Sequence, residues 1–473
     1  MNMKFTIKTI GCKVNTYESN KIRDELINIG LEYVDVNDKE EYKDLDFYIV
    51  NTCSVTAIAD KKSRQMLHLA KKHNRNVKTI AIGCLVDSSP PSGVDYCLSN
   101  KEKPNLVSLI TSLVGESKVL SKKSVAISPR AFIKIEDGCD EYCTYCLIPY
   151  LRGHIKSRDD NDIIEEISEK LKLGVKEVVL TGIHLSSFGL DRKNMHYESE
   201  GAIAVARDAL TNIIRRIADI YVDVEGERKE LMRIRLGSLE PRIIDENFLK
   251  FFTNTNSEDS NKSVAEKFCH NLCLSLQSGS DKTLKRMNRH YTCEDFKKAC
   301  NLIRKYMPDA TITTDVIVGF PGETEDDFKE SLDFVKSIRF YNPNIFPYSK
   351  RDGTKAAGFP DQLTQKEKHD RAIKMIEECN IITKEIEEKY IVARDSTLNL
   401  QTVGASSASP IKVGDMLDDI LVEEIIEENG NRFALGYTKN YIKRKVQIVG
   451  GAPERSDKVP LGCTASPHER NHI

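Results

Sequence analysis

Cys139-Asp-Glu-Tyr-Cys143-Thr-Tyr-Cys146 decides how this chain is read. It follows the strand-like run Phe132-Ile-Lys-Ile135 and sets three thiols within eight residues, with no fourth Cys or His beside them. A structural zinc site closes with four ligands, usually as two pairs. A four-iron, four-sulfur cluster on three thiolates instead keeps one iron free of protein ligands and open to a small chelating molecule. The competing reading is three buried or zinc-bound cysteines. The rest of the chain supports the cluster.

With 473 residues the chain has room for two or three domains. Hydrophobic residues make up 40% and charged residues 30%, an ordinary globular balance. The net charge of −2 means that any nucleic-acid binding must come from local patches. No apolar run approaches the ~20 residues of a membrane span, so no membrane association is expected. Met1-Asn-Met-Lys-Phe-Thr-Ile-Lys8 lacks the apolar region and cleavage site of a signal peptide, and a cytoplasmic location is expected. Thirteen cysteines in that compartment argue for metal or catalysis rather than disulfides.

Residues 1–115 alternate strand-like and helix-like segments: strands at Lys4–Ile10, Asp46–Val50 and Val77–Ile82, helices at Asn15–Ile29 and Val55–His73. This rhythm predicts an open, mostly parallel α/β sheet. Three of its strands run into Cys12, Cys53 and Cys84. Ligands of such sheets bind beyond the carboxyl ends of the strands, so these cysteines can converge on a metal or cluster. Singly, each is more often a small buried hydrophobe. Cys97 also follows a strand-like run and is the weaker candidate.

Residues 116–130 read as a linker. Residues 131–385 resume the alternation, with strands near Lys176–Leu180, Met232–Leu236, Asn271–Leu276, Thr311–Val318 and Asn344–Phe346. Together with the run before Cys139 they predict a full or partial β/α barrel, whose chemistry belongs at the carboxyl face. The charged stretch between Gly189 and Glu230 predicts added helices outside the barrel. Residues 386–450 change period: Ile420–Ile426, the turn Asn429-Gly430-Asn431 and Arg432–Gly436 predict a hairpin within a small β-barrel. No clean final strand is legible after Tyr441. Thr402–Pro410 reads as a low-complexity loop and 451–473 as a polar tail.

In the barrel, Gln277, Ser278, Gly319 and Glu323 lie at strand ends and are candidates to line a cofactor cavity. For Gly319 and Glu323 the equal alternative is a tight strand-to-helix turn capped by Glu323 and Thr324. Arg152, Ser157 and Arg158 could hold a carboxylate or phosphate, or simply face solvent. Two patches are candidates for RNA. One is the basic helix around Lys61, Lys62 and Arg64, continuing to Lys71 and Arg75. The favoured one is Tyr437, Lys439, Tyr441, Lys443 and Arg444, where aromatics alternate with cations.

Taken together, residues 3–450 resemble the methylthiotransferase family of radical S-adenosylmethionine enzymes. The blocks that carry the likeness are Gly11-Cys-Lys-Val-Asn15, Asn51-Thr-Cys-Ser-Val-Thr56, Gly83-Cys84, Gly138–Cys146, Arg152-Gly153, Ser157-Arg158, Leu274-Ser-Leu-Gln-Ser-Gly279, Arg286-Met-Asn-Arg289, Thr314–Glu323 and Phe346-Pro-Tyr-Ser-Lys350. Cys12-Lys-Val-Asn15, Val55–Arg64, Thr181-Gly-Ile-His184 and Gly436-Tyr-Thr-Lys-Asn-Tyr441 look most like the branch that modifies N6-threonylcarbamoyladenosine in tRNA.

The resemblance implies two four-iron, four-sulfur clusters: an auxiliary one on Cys12, Cys53 and Cys84, and the radical one on Cys139, Cys143 and Cys146. The latter's open iron would chelate S-adenosylmethionine and cleave it to a 5′-deoxyadenosyl radical. The C-terminal barrel looks like a TRAM domain, an RNA-binding module. The implied reaction places a methylthio group on carbon 2 of the modified adenine at position 37 of tRNA, with no general base assigned. A reducing donor such as flavodoxin or ferredoxin is implied, and a monomer is expected. Alternatives are a sister enzyme acting on isopentenyladenosine tRNA or on an aspartate of a ribosomal protein. A further alternative, of another class, is a non-enzymatic metal-binding RNA protein.

Overall fold

The computed structural model describes residues 3–36, 38, 40–115, 128–253, 261–395, 411–417 and 419–448. Most of the expected linker, as well as Thr402–Pro410 and the tail 451–473, lies outside them.

The N-terminal sheet has five parallel strands in the order Glu32–Tyr33, Lys4–Thr9, Phe47–Thr52, Lys78–Gly83, Tyr96–Leu98. Alternate side chains feed two cores. Phe47 and Ile49 pack with Ile22, Leu26 and Ile110 on one face. Tyr48 and Val50 pack with Leu67 and Ala70 on the other. Burial on both faces is what a parallel sheet needs, each large side chain contributing about 1.5–3 kcal/mol. The helix expected from Val55 starts at Ala57, because the Thr56 hydroxyl accepts the Ala59 N–H at 3.1 Å and caps it.

The central unit is an open barrel of parallel strands. Arg130–Lys134, Glu177–Thr181 and Arg233–Leu236 pair in that order. Ser238–Leu239 leads to Asn271–Leu274, which pairs with Thr311–Thr313. Asp315–Val318 then pairs with Asn344–Pro347. The strand expected over Thr311–Val318 is therefore split at Thr314. There the hydroxyl donates to Leu274 O at 2.5 Å and accepts from Leu276 N at 3.0 Å, replacing backbone pairing where the strand changes neighbour. The stretch from Gly189 to Glu230 holds the helix Ala202–Ala218, as expected, and also a hairpin, Tyr221–Val224 with Glu227–Glu230.

At the C-terminus, Met416–Leu417, Ile420–Glu428, Asn431–Tyr437 and Lys443–Ile448 form a four-stranded antiparallel half-barrel, consistent with a TRAM-like domain. The last of these corrects the expectation that no final strand follows Tyr441. Its cations hide the period, since Lys443, Lys445 and Gln447 face out while Arg444, Val446 and Ile448 turn inward.

This half-barrel sits under the barrel floor. Arg233 Nη1 donates to Tyr437 O at 2.7 Å, Arg235 Nη1 to Lys439 O at 3.3 Å, and Thr311 Oγ1 to Asn440 O at 2.5 Å. All three donors stand near the amino ends of barrel strands, so the carboxyl face stays clear for chemistry.

Candidate functional site

Cys12 precedes the helix Lys13–Asn28, Cys53 follows the strand Phe47–Thr52, and Cys84 opens the helix Cys84–Ser88. The strands ahead of them are neighbours in register, with Thr9 beside Asn51 and Thr52 beside Gly83, so all three thiols gather at one sheet edge. The loop at Cys12 reaches Cys53 only because Gly11 has no side chain. A Cβ there would lie 2.7 Å from Cys53 Cβ and 2.9 Å from its Sγ, and Gly11 also holds φ +115°. Burial, and then the neighbouring Cys12 and Cys84, push the Cys53 thiol up to about 12.

Cys139, Cys143 and Cys146 lie in the loop after Arg130–Lys134. The turn into that loop packs so tightly that a Cβ on Gly138 would sit 2.0 Å from His154 O. Burial raises Cys139, with Cys143 and Cys146 adding like charge, and lifts Cys146 to about 12. Arg289 Nη1 donates to Cys143 Sγ at 3.2 Å, and Ile148 N to Cys146 Sγ at 3.4 Å. Cys84 also bears electrostatically on Cys146, so the two thiol triads neighbour one another across the unit boundary.

Cys53, Cys139 and Cys146, held this far from ionising, are poor free nucleophiles; a metal centre is what would draw off their protons. Zinc on 2.3 Å bonds would bring tetrahedral sulfurs to about 3.8 Å of each other. Among the described residues the ligand group with all its atoms within 4.8 Å is Glu141, Glu198 and His290, and neither cysteine triad is so compact. The wider spacing and all-sulfur donor set fit a cluster with each thiolate on its own iron.

A buried charge network joins the two units behind the cysteines. Glu18 pairs with Lys103 at 2.6 Å, Arg152 at 3.0 Å and Lys134 at 3.1 Å. Arg152 also reaches Asp137 at 3.0 Å. Arg158 binds Glu166 at 2.7 Å, and Ser157 Oγ donates to Asp191 at 2.6 Å. Arg152, Ser157 and Arg158 are thus engaged with protein partners.

Among the cavity candidates, Gln277 holds φ +68° and bridges to Val316. Ser278 is buried and accepts the Ser280 N–H at 3.3 Å. Glu323 accepts the Gly319 N–H at 2.8 Å and pairs with Arg371 at 2.6 Å, while Thr324 and Asp327 form the capping box of the next helix. Gly319 and Glu323 thus form a tight strand-to-helix turn, with Thr324 rather than Glu323 as the cap.

The favoured RNA patch is partly taken up by contacts with the barrel. Tyr437 is buried and stacks on Tyr441 with centroids 4.6 Å apart, above Arg130 at 5.1 and 5.2 Å. Lys439 Nζ donates to Glu266 O. The rings pack against barrel arginines, Tyr437 buried and Tyr441 half-buried. Lys443 remains exposed and Arg444 is half-buried.

Several site residues escaped sequence reasoning. His184 Nε2 is buried without a hydrogen-bond partner, and burial, with Arg289 and Arg242 nearby, holds its ring down at about 3. Its ring meets Tyr197 edge-on at 4.9 Å, and Tyr197 donates to Glu240 at 2.8 Å. Burial lifts Glu141 to about 7 and Glu136 to about 8. Only their place at strand ends could have signalled them.

Residues 133–335 match the Radical SAM superfamily, and residues 4–95 match the Uncharacterized protein family UPF0004. The chain is 30% identical over 455 residues (92% of its length and 88% of the relative) to the Threonylcarbamoyladenosine tRNA methylthiotransferase MtaB of Bacillus subtilis. It is 34% identical to the MtaB of Thermotoga maritima, over 77% of this chain and 79% of that one. It is also 30% identical to the tRNA-2-methylthio-N(6)-dimethylallyladenosine synthase of Clostridium tetani, over 90% and 91% of the two chains. Among solved structures, the radical S-adenosylmethionine methyltransferase TsrM from Kitasatospora setae aligns over 73% of this chain and 75% of its own, with TM-score 0.49 and 14% identity. With relatives this similar over nearly its whole length, the chain belongs to the radical SAM tRNA methylthiotransferase family.

Proposed function

We propose that this protein places a methylthio group on carbon 2 of N6-threonylcarbamoyladenosine at position 37 of tRNA, using two four-iron, four-sulfur clusters. The observation that carries the two-cluster reading is the pair of buried or half-buried thiol triads, one per α/β unit, linked by Asn100, whose Nδ2 reaches Cys84 Sγ at 3.5 Å and Leu151 O, five residues past Cys146, at 3.4 Å. The threonylcarbamoyl branch is supported by the blocks around Cys12, Cys53 and His184 and by the MtaB relatives. When bound, S-adenosylmethionine and the clusters supply the radical, the methyl group and the sulfur.

The chain's own residues hold and tune that chemistry. Cys139, Cys143 and Cys146 would hold the radical cluster, and Cys12, Cys53 and Cys84 the auxiliary one. Arg289 sets a guanidinium against the Cys143 sulfur, where it would hydrogen-bond a cluster ligand and so tune the cluster's potential. His184 stays uncharged at neutral pH, so it can donate or accept one hydrogen bond without adding charge to the cavity. An aromatic C–H offers no useful acidity, and no general base is needed. In the same reading residues 1–115 carry the auxiliary cluster, 131–385 the radical cluster, and 386–450 a TRAM-like unit. The partner would be a cytoplasmic low-potential donor such as flavodoxin or ferredoxin.

The test is nucleoside mass spectrometry of total tRNA from a host lacking the modification, with and without this gene. The reading requires a new methylthio form of threonylcarbamoyladenosine. Methylthio-isopentenyladenosine instead would overturn the branch, and an unchanged profile in cells with both clusters assembled would overturn the tRNA substrate.

A further inference from the structure

With Tyr437 buried under the barrel and Tyr441 half-buried against it, a more exposed aromatic pair lies beside the cysteines. Tyr142 and Tyr150 are 37% and 57% exposed and meet edge to face with centroids 5.8 Å apart. Tyr142 lies inside the loop of Cys139, Cys143 and Cys146, next to Cys143. It holds φ +46°, an uncommon backbone state for a large residue, and Asn288 Nδ2 pins the loop by donating to Glu141 O at 3.1 Å. Tyr150 stands on the helix Ile148–Arg152 that leaves the same loop. That helix is tied to the other triad, since Asn100 Nδ2 reaches both Leu151 O at 3.4 Å and Cys84 Sγ at 3.5 Å.

The N-terminal unit continues the rim. Val55 and Ile58, just past Cys53, are 52% and 57% exposed. The helix Ala57–His73 that follows Val55 leans on the segment after the last barrel strand through Ala57 N to Ser349 Oγ at 2.9 Å and Asp60 to Arg351 at 2.6 Å. Lys61 and Lys62 follow on that helix, exposed and with no ion pair among the described residues. An exposed aromatic corner beside the cysteines, flanked by unpaired cations, suits single-stranded RNA. Bases stack on aromatic faces and phosphates seek lysines, whereas a protein partner would favour a drier, less charged rim.

We propose that Tyr142 and Tyr150 are the stacking platform for bases flanking the target nucleotide of an RNA loop, with Lys61 and Lys62 meeting its phosphates. This rests on the tRNA reading above. It makes the rim of the cysteine cavity, and not the tyrosine pair of the C-terminal half-barrel, the place where the loop is splayed and held.

The experiment is a fluorescence-anisotropy titration of the cluster-loaded protein with a labelled anticodon stem-loop carrying N6-threonylcarbamoyladenosine, repeated across salt concentrations. Tyr150→Ala should weaken binding about ten-fold or more, and Tyr142→Ala/Tyr150→Ala further, while Tyr142→Phe/Tyr150→Phe should stay near wild type. Iron per chain and visible absorbance check that each variant is loaded. Should the double Ala variant fail to load, Tyr150→Ala decides alone. Lys61→Gln/Lys62→Gln should flatten the slope of log affinity against log salt by about 1.4, which the tyrosine variants should leave alone. Wild-type affinity in the loaded Ala variants, or an unchanged slope in the Lys pair, overturns the proposal while leaving the tRNA reading intact. A wild-type protein that does not bind the stem-loop overturns both.

Discussion

Replacing Glu177 with Gln tests what locks the C-terminal half-barrel under the barrel floor. Glu177 has no exposed surface. Its carboxylate faces Arg130 Nε at 2.8 Å, Arg235 Nε at 2.9 Å and Arg233 Nη1 at 3.5 Å. The same guanidiniums reach across the boundary, Arg130 to Glu423 at 2.7 Å and Arg233 to Tyr437 O at 2.7 Å. Burial alone would raise the Glu177 carboxyl, but Arg130, Arg235 and Arg233 overcome it and hold the pKa at about 2 against an ordinary 4.5. That depression corresponds to about 3 kcal/mol of folded-state stability at neutral pH, and removing one partner from a buried ionic cluster costs a similar 3–5 kcal/mol. Glu423 shifts the opposite way, its carboxyl raised by burial despite Arg130. Three guanidiniums contact Glu177 and one pairs with Glu423, so Glu177 is the anchoring charge. In urea unfolding followed by circular dichroism at pH 7, Glu177→Gln should lose about 3 kcal/mol. A group with a depressed folded pKa stabilises above its unfolded pKa and loses that contribution as pH falls through the folded one. The gap between wild type and variant should therefore be full above about pH 4.5 and close as pH falls towards 2. A loss below about 1 kcal/mol at pH 7, or a gap unchanged between neutral and acid pH, would refute the reasoning.

Other outcomes follow from the same geometry. Cys143→Ala should abolish reductive cleavage of S-adenosylmethionine, whereas Cys53→Ala should retain some cleavage but transfer no sulfur; chromatography of 5′-deoxyadenosine and nucleoside mass spectrometry read the two steps separately, and sulfur transfer by the Cys53 variant would sink the two-cluster reading. Gly11→Ala drives a methyl group into Cys53, so iron per chain should fall in a Cys143→Ala background, where iron reports on the Cys12, Cys53 and Cys84 site, and should hold in a Cys53→Ala background, where it reports on the other triad. Glu18→Gln strands Lys103 and Arg152, both nearly buried, and should cost about 3–5 kcal/mol in urea unfolding; a change under about 1 kcal/mol counts against that network joining the two units.

The parts of this protein legible in its sequence are those where local pattern and chemistry coincide. Cys12, Cys53 and Cys84 each stand where an apolar strand ends, and neighbouring parallel strands bring such ends together whatever the intervening length. The cluster loop is legible because its three ligands are close in sequence. That Tyr437 and Tyr441 pack on the barrel was not legible, because alternation with cations looks the same whether a sheet faces water or a neighbouring unit. What they pack on is Arg130, Arg233 and Arg235, spaced far from them along the chain and identifiable only once the barrel floor is assembled. Arg289 lay inside a recognised block, yet nothing local says that it reaches Cys143, because that contact crosses from the turn after the helix Asp281–Arg286 back to the first barrel loop. The same distance effect separates the two charge networks by role. Glu18 with Lys103 and Arg152 fixes the two cysteine-bearing units against each other, so the spacing of the triads depends on it. Glu177 with its three arginines fixes the half-barrel to the opposite end. Loss of the first should therefore impair sulfur transfer even where both clusters load, and loss of the second should lower stability with the cysteine cavity left in place.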